Sequence, residues 1–301
     1  TLDLVDTAGI NTVVIDIKDA TGKISYQPQD PELVRIGAET NRIRDIAELI
    51  DTFHQRGVYV IGRVQVFQDP FFATKFPEEA FHTIVGDVWR DRKGIAWLRP
   101  NSTKVWDYIV SIARDAYGQG FDEINIDYVR FPSDGDLKSI DLSSFPKNRV
   151  DTMDDFFVFI DTEIRAQGIP LSADIFGLTL SATGDLGIGQ ELERIAPYVD
   201  YVCPMIYPSH FWEGSFGFAK PAEHPYEIIK KSLSDGIAKL TTVNIPTNKL
   251  RPWLQAFDLG AIYTPEMVQA QVQATTELGI SSWLFWDAKN LPSIPYAPWE
   301  W

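Results

Sequence analysis

The sequence predicts an α/β fold of the (β/α)8 TIM-barrel class, and three observations carry that prediction. Short apolar strand patterns alternate with amphipathic helical patterns along the chain, as in a parallel sheet built from βα units. Several strands are apolar on one face and polar on the other, which fits a sheet covered by helices on one side and open to a ligand on the other. The length, 301 residues, suits one barrel-sized unit with a sizeable core.

The strand patterns fall at 12–19, 59–67, 123–131, 171–177, 198–208, 253–258 and 282–287. The helical patterns between them include 42–56, 102–118, 153–167, 225–235 and 265–278. Their ends carry matching signals. Asn101-Ser102 offers a helix cap after Pro100, Gly57 and Gly168 stand at helix stops, and Pro265 suits a first helical turn. Seven strands are one short of a closed barrel. Residues 1–8, with Leu2, Leu4, Val5 and Ala8 apolar, have the pattern of a helix tail ending at Gly9, which implies a strand before it. On that reading the barrel lacks its first strand in this chain, 12–19 is barrel strand two and 123–131 is strand four. Segment 241–245 is a rival eighth strand. One domain is expected over 1–301, with long inserts near 68–101 and 133–152, both following C-terminal strand ends. Within the first insert, GDVWRDRKG (86–94) reads as a small hairpin.

Net charge is −15, from 27 basic and 42 acidic residues, a surface that repels phosphate backbones and argues against nucleic acid as a partner. No apolar run approaches the ~20 residues that span a bilayer. Cys203 is the only cysteine and sits in an apolar strand as a small hydrophobe. The histidines, at 54, 82, 210 and 224, form no close-spaced pair, so neither a zinc site nor another cofactor is expected. Aromatic residues are abundant, and sugars stack their C–H faces on exposed rings. Trp89, Trp97, Trp212, Trp286, Trp299 and Trp301 lie in or beside expected loops, where core packing explains them less well.

Segment GFDEINIDYVRFP (120–132) is the most informative. Ile124 and Ile126 share one strand face, Asn125 and Asp127 the other, and Asp127 stands near the strand's C-terminal end, where barrel enzymes place catalytic groups. By the same alternation Asp16, Lys18, Arg63, Gln65, Asn125, Asp127, Ser172, Asp174 and Gln255 should converge inside the barrel. Asp127 and Asp174 stand on consecutive strands ~4.8 Å apart, near the ~5–5.5 Å carboxyl separation of retaining glycosidases. Such a pair drives its two pKa values apart. Lys18, Arg63 or Arg130 would keep Asp127 ionised as a nucleophile, and Asp174, flanked by Ile175 and Phe176, would be the proton donor. Asp258 and Asp287 end strands, as a third carboxylate or a hydroxyl-binding group would. Tyr207 is a candidate hydrogen-bond donor at the barrel mouth. Asp19 and Asp69 are expected to cap turns, and Glu123 begins its strand at the wrong end for catalysis.

The chain resembles a family of uncharacterised, mostly bacterial glycoside-hydrolase domains with a TIM-barrel fold. NTVVIDIKDATG (11–22), GFDEINIDYVRFP (120–132), YVCPMIYP (201–208) and WLFWD (283–287) carry the resemblance. The family is similar in turn to the α-amylase and α-galactosidase barrels, whose Asp nucleophile at strand four implies that role for Asp127. An amylase-type acid at strand five would fall on Asp174, where amylases usually have Glu, and Asn125 stands where they have Arg. A second resemblance is to chitinases with the motif FDGxDxDxE. Residues 121–129 read FDEINIDYV, with Val129 at the acid position, while Trp286 and Asp287 are similar to the end of the last chitinase strand. The expectation is a retaining glycoside hydrolase acting on an oligo- or polysaccharide. Asp127 would be its nucleophile and Asp174 its acid/base, with Trp286 among the substrate-binding groups. The alternative is a catalytically inactive, chitinase-like carbohydrate-binding barrel. The expected location is extracytoplasmic or at the cell surface, and the sequence leaves the oligomeric state open.

Overall fold

The computed structural model describes residue 5 and residues 10–287. Seven strands form one sheet in sequence order: β1 (Thr12–Lys18), β2 (Tyr59–Gln65), β3 (Glu123–Asp127), β4 (Leu171–Phe176), β5 (Tyr201–Ile206), β6 (Trp253–Gln255) and β7 (Leu284–Trp286). Every neighbouring pair is parallel. The sheet is strongly curled. In a flat sheet β2 and β7 would lie about 24 Å apart, yet the Arg63 guanidinium of β2 sits 5.3 Å from the Trp286 ring of β7. This is a (β/α)8-type barrel with seven strands among the described residues. The helix expected at 1–8 lies, apart from Val5, outside the described residues, as do Trp299 and Trp301.

Helices cover the outer face: α1 (Pro31–Ile36), α2 (Ile46–His54), α3 (Pro70–Lys75), α4 (Thr103–Gly118), α5 (Arg149–Glu163), α6 (Leu192–Ile195), α7 (Pro225–Thr242) and α8 (Pro265–Thr276). Their starts follow local chemistry. Asp69, Ser102 and Thr264 each accept a backbone N–H in the first turn of α3, α4 and α8. The main core lies between helices and sheet, where Ile109, Ile112, Ile124, Ile126, Phe156 and Ile160 are fully buried. A second apolar layer fills the barrel interior, made by Ile61, Cys203, Tyr207, Trp253 and Leu284.

Three boundaries differ from the sequence reading for physical reasons. Helix α7 runs past 235 to Thr242, so the rival strand at 241–245 does not form. Gly236 does not stop that helix; it admits Leu180, whose Cδ2 would lie 2.9 Å from a Cβ at that position. Strand β3 ends at Asp127 rather than 131, because Tyr128 turns into the left-handed region with φ 51°. In β1 the register slips between Asp16 and Lys18, so Asp16 faces Arg63 whereas Lys18 pairs with Val64. That bulge reverses the side-chain alternation and sends Lys18 to the outer face.

The first insert folds back antiparallel, with His82 opposite Val88, Arg90 opposite Ala96 and Ala80 opposite Leu98. The expected hairpin turn closes where Gly94 N–H donates to the Asp91 carbonyl at 2.9 Å. Trp89 and Trp97 are buried here rather than exposed to a ligand. Trp97 Nε1 donates to Asp91 Oδ2 at 3.0 Å and Trp89 Nε1 to the Asp136 carbonyl at 3.0 Å, so both are core residues of the insert.

Candidate active site

Asp127 is the last residue of β3 and projects inward at the C-terminal rim. The sharp turn at Tyr128 brings that residue's N–H to Asp127 Oδ1 at 2.6 Å, fixing the carboxylate. A left-handed Tyr costs ~1–3 kcal/mol that the surroundings must offset. On β4, Ala173 pairs with Ile126, and one further step along this register sets Asp174 beside Asp127 on the inner face.

Arg63, on the neighbouring strand β2, joins the acids. Its Nη2 donates to Asp127 Oδ2, its Nη1 donates to Asp16 Oδ1 at 2.6 Å, and its Nε lies 3.6 Å from Asp174 Oδ2. Asp174 Oδ1 also accepts from Asn125 Nδ2 at 2.9 Å and from Trp253 Nε1 at 2.8 Å. Burial raises the Asp174 pKa, the negative charge of Asp127 raises it further, and Arg63 with the two donors opposes both. The balance sits at about 7. Asp174 is therefore mostly protonated below about pH 7 and mostly charged above it, beside a guanidinium that pairs with Asp127.

Both acids reach the wall of a cavity of about 660 Å³ at the strand C-termini, although Asp127 is only 4% and Asp174 only 2% exposed. Aromatic rings dominate the wall, including Phe176, Tyr207, Trp253 and Trp286, and Trp212 stands at it 70% exposed. Apolar walls with a few convergent polar groups are the usual make-up of a small-molecule site.

Among the sequence candidates, Arg63, Asp127, Arg130, Asp174, Tyr207 and Trp286 line this cavity. Asp16 stays at the mouth of the sheet as the partner of Arg63, its side chain 47% exposed. Asn125 lies beneath the acids, donating to Asp174 and to Ser172 Oγ at 3.0 Å. Gln65 is buried on the inner face, its Oε1 without a hydrogen-bond partner among the described residues. Gln255 is buried away from the cavity, accepting from Ser209 N and donating to the Phe257 carbonyl. Asp258 accepts from Tyr263 N at 2.8 Å and pins a loop, and Asp287 follows β7, partly exposed.

Lys18 is displaced furthest from expectation. It is fully buried on the outer face, 2.8 Å from Asp69 Oδ2, and donates to the Gln65 carbonyl. It therefore does not face Asp127. Asp69 caps α3 as expected and also neutralises Lys18. Asp19 accepts from Thr21 N at 2.9 Å, closing a turn. Glu123 is sealed at the opposite end of the barrel by Arg251, 2.8 Å away, and by Ser172.

The sequence reading missed Trp253, the donor to Asp174. It lies two residues before Gln255 and so shares its inward face, which the alternation could have revealed. Among the described residues no three His, Cys, Asp or Glu side chains cluster as a metal site would require. Among them, too, no helix is long and apolar enough to cross a membrane.

A hypothetical protein from Ruminiclostridium thermocellum ATCC 27405 is 35% identical over 57% of this chain and 87% of its own, with a TM-score of 0.52. The PgaB (BpsB) glycoside hydrolase domain from Bordetella bronchiseptica shares the fold at 13% identity, covering 92% of this chain and 84% of its own, with a TM-score of 0.62. The spore cortex-lytic enzyme SleL of Bacillus megaterium QM B1551 does so at 10% identity, covering 93% and 64%, with a TM-score of 0.54. No curated protein matches the chain. The model of the family described as "Putative glycosyl hydrolase domain" matches residues 1–291, and the chain belongs to that family.

Proposed function

We propose that the protein is a retaining glycoside hydrolase acting on an oligo- or polysaccharide, with Asp127 as nucleophile and Asp174 as general acid/base. One observation carries the reading: two inward carboxyl groups on adjacent strands line one aromatic cavity, and burial raises the pKa of one of them, Asp174. In the first step Asp174 would protonate the leaving oxygen as Asp127 attacks the anomeric carbon, giving a glycosyl ester. In the second, Asp174, now charged, would take a proton from water as that water cleaves the ester. Arg63 would hold the Asp127 carboxylate in place for attack and reorganise little as charge moves. The rings of Trp212, Trp253 and Trp286 would stack against sugar faces. A glycan substrate of this kind, and a fold neighbour that is a spore cortex-lytic enzyme, support an extracytoplasmic or cell-surface site of action.

A second reading is a carbohydrate-binding barrel without turnover. It is favoured by Arg63, which engages Asp127 and approaches Asp174 at the same time, and by Val129, fully buried where chitinases carry their acid. Hydrolysis measured across a glycan panel, with Asp127→Asn and Asp174→Asn as controls, separates the two. Turnover that both substitutions abolish supports the enzyme. Binding without hydrolysis, unchanged in both variants, supports the lectin.

A further inference from the structure

Three arginines are nearly buried in the described residues: Arg63, Arg130 and Arg251. Arg63 is matched by carboxylates and Arg251 by Glu123. Arg130 differs. It is 8% exposed and stands on the cavity wall three residues beyond Asp127. Its guanidinium carbon lies 4.8 Å from the Trp97 ring centre, 5.2 Å from Tyr128 and 4.6 Å from Phe176, so three rings hold the planar group in place. Among the described residues only Nη1 donates to the protein, to the Phe131 carbonyl at 3.0 Å and to Ser133 Oγ at 3.1 Å. Among the described residues Nε and Nη2 have no acceptor and no carboxylate within ion-pair distance, and neither atom is sealed in the interior. Asp134, an acid on the same wall, accepts instead from Arg92 N at 3.2 Å.

Asp127, Asp134 and Asp91 act on Arg130 only from beyond ion-pair distance, and a buried cation without a paired anion is costly. Nε and Nη2 present two parallel N–H groups, the edge that matches the two oxygens of a carboxylate. We propose that Arg130 recognises a carboxylate on the substrate, so that the cavity takes a uronic acid or a similarly acidic sugar beside the scissile bond. This rests on the glycoside hydrolase reading and names the substrate class for that site. The net charge of −15 repels acidic glycans at long range. Screening confines that repulsion to ~8–10 Å at physiological salt. Selection for the acid is therefore local, and Arg130 is the group on the cavity wall placed to make it.

The test is ligand-observed NMR with glucuronate and galacturonate, using glucose and galactose as neutral twins and glucose 6-sulfate as a sulfated control. The proteins are the unaltered chain, Arg130→Gln, Arg130→Lys and Asp127→Asn. At least one uronate should bind the unaltered chain about tenfold more tightly than its neutral twin, or ~1.4 kcal/mol. That preference should persist in Asp127→Asn, vanish in Arg130→Gln and weaken in Arg130→Lys, whose ammonium lacks the fork. Equal binding of acidic and neutral sugars, no binding of either, a preference for the sulfate alone, or a preference retained in Arg130→Gln would overturn the proposal. Should Arg130→Gln fail to fold, the comparison of acid with neutral twin on the unaltered chain still decides. Cleavage of neutral glycans without uronate preference would defeat this proposal alone. Uronate binding without cleavage of any glycan would defeat the hydrolase reading alone.

Discussion

The indole N–H of Trp253 donates to Oδ1 of Asp174 at 2.8 Å, reaching from β6 to β4 across the barrel interior. A donor aimed at a carboxylate favours its charged form, so this bond lowers a pKa that burial raises. Trp253→Phe keeps a large ring and deletes the donor. The pKa of Asp174 should rise, moving the alkaline limb of the pH profile of kcat/KM to higher pH. Stability should fall by ~1–3 kcal/mol, from the lost bond and the smaller ring. Denaturant titration and a pH–rate series check both effects.

The pH dependence of the unaltered protein follows from the same group. If Asp174 must donate a proton, kcat/KM falls as pH rises through about 7. Stability carries the same sign. The native state keeps a proton that an unfolded Asp releases near its ordinary value of 3.8. The contribution of Asp174 is thus fully present below that value, declines as pH rises, and is lost above about 7. Asp174→Asn should flatten this part of the stability curve, measured by thermal unfolding over the window, and reduce kcat by ~10²–10⁴-fold.

Lys18 and Asp69 form a fully buried ion pair outside the cavity. Lys18→Met leaves Asp69 buried without its cation, which should cost ~3–5 kcal/mol. The alkaline limb set by Asp174 should not move. A shifted limb with unchanged stability in urea would return Lys18 to the site.

Trp212 is 70% exposed at the cavity, so little of the fold depends on it. Trp212→Ala should change stability by no more than ~0.5 kcal/mol. Loss of a stacking face should raise KM for an oligosaccharide by ~2–10-fold with kcat retained. Steady-state kinetics on substrates of increasing length checks this.

The barrel was legible because side-chain alternation survives in short strands. Arg63, Asn125, Asp127, Ser172 and Asp174 all fall on the inner face that their parity assigns. Lys18 departs from it because a bulge after Asp16 shifts parity by one, and a bulge leaves no composition signal in VIDIKD. Trp89 and Trp97 looked like loop aromatics because the insert folds back onto the main core, a long-range packing that its local sequence does not announce. The helical pattern read at 225–235 runs on through Gly236, whose missing side chain makes room for Leu180, distant in sequence. Arg130 was visible as a residue type; its unmatched N–H edge needed the packing of three rings around it.

The central claim is that Asp127 becomes covalently attached to the sugar. The direct measurement is mass spectrometry of Asp174→Asn after incubation with an aryl glycoside whose leaving group needs no acid. Without its acid/base this variant should form the glycosyl ester and release it slowly. The peptide spanning residues 123–130 should then gain the mass of one glycosyl unit, located on Asp127. Release of the aryl group with Asp127 unmodified, and sugar freed with inverted anomeric configuration, would contradict the account.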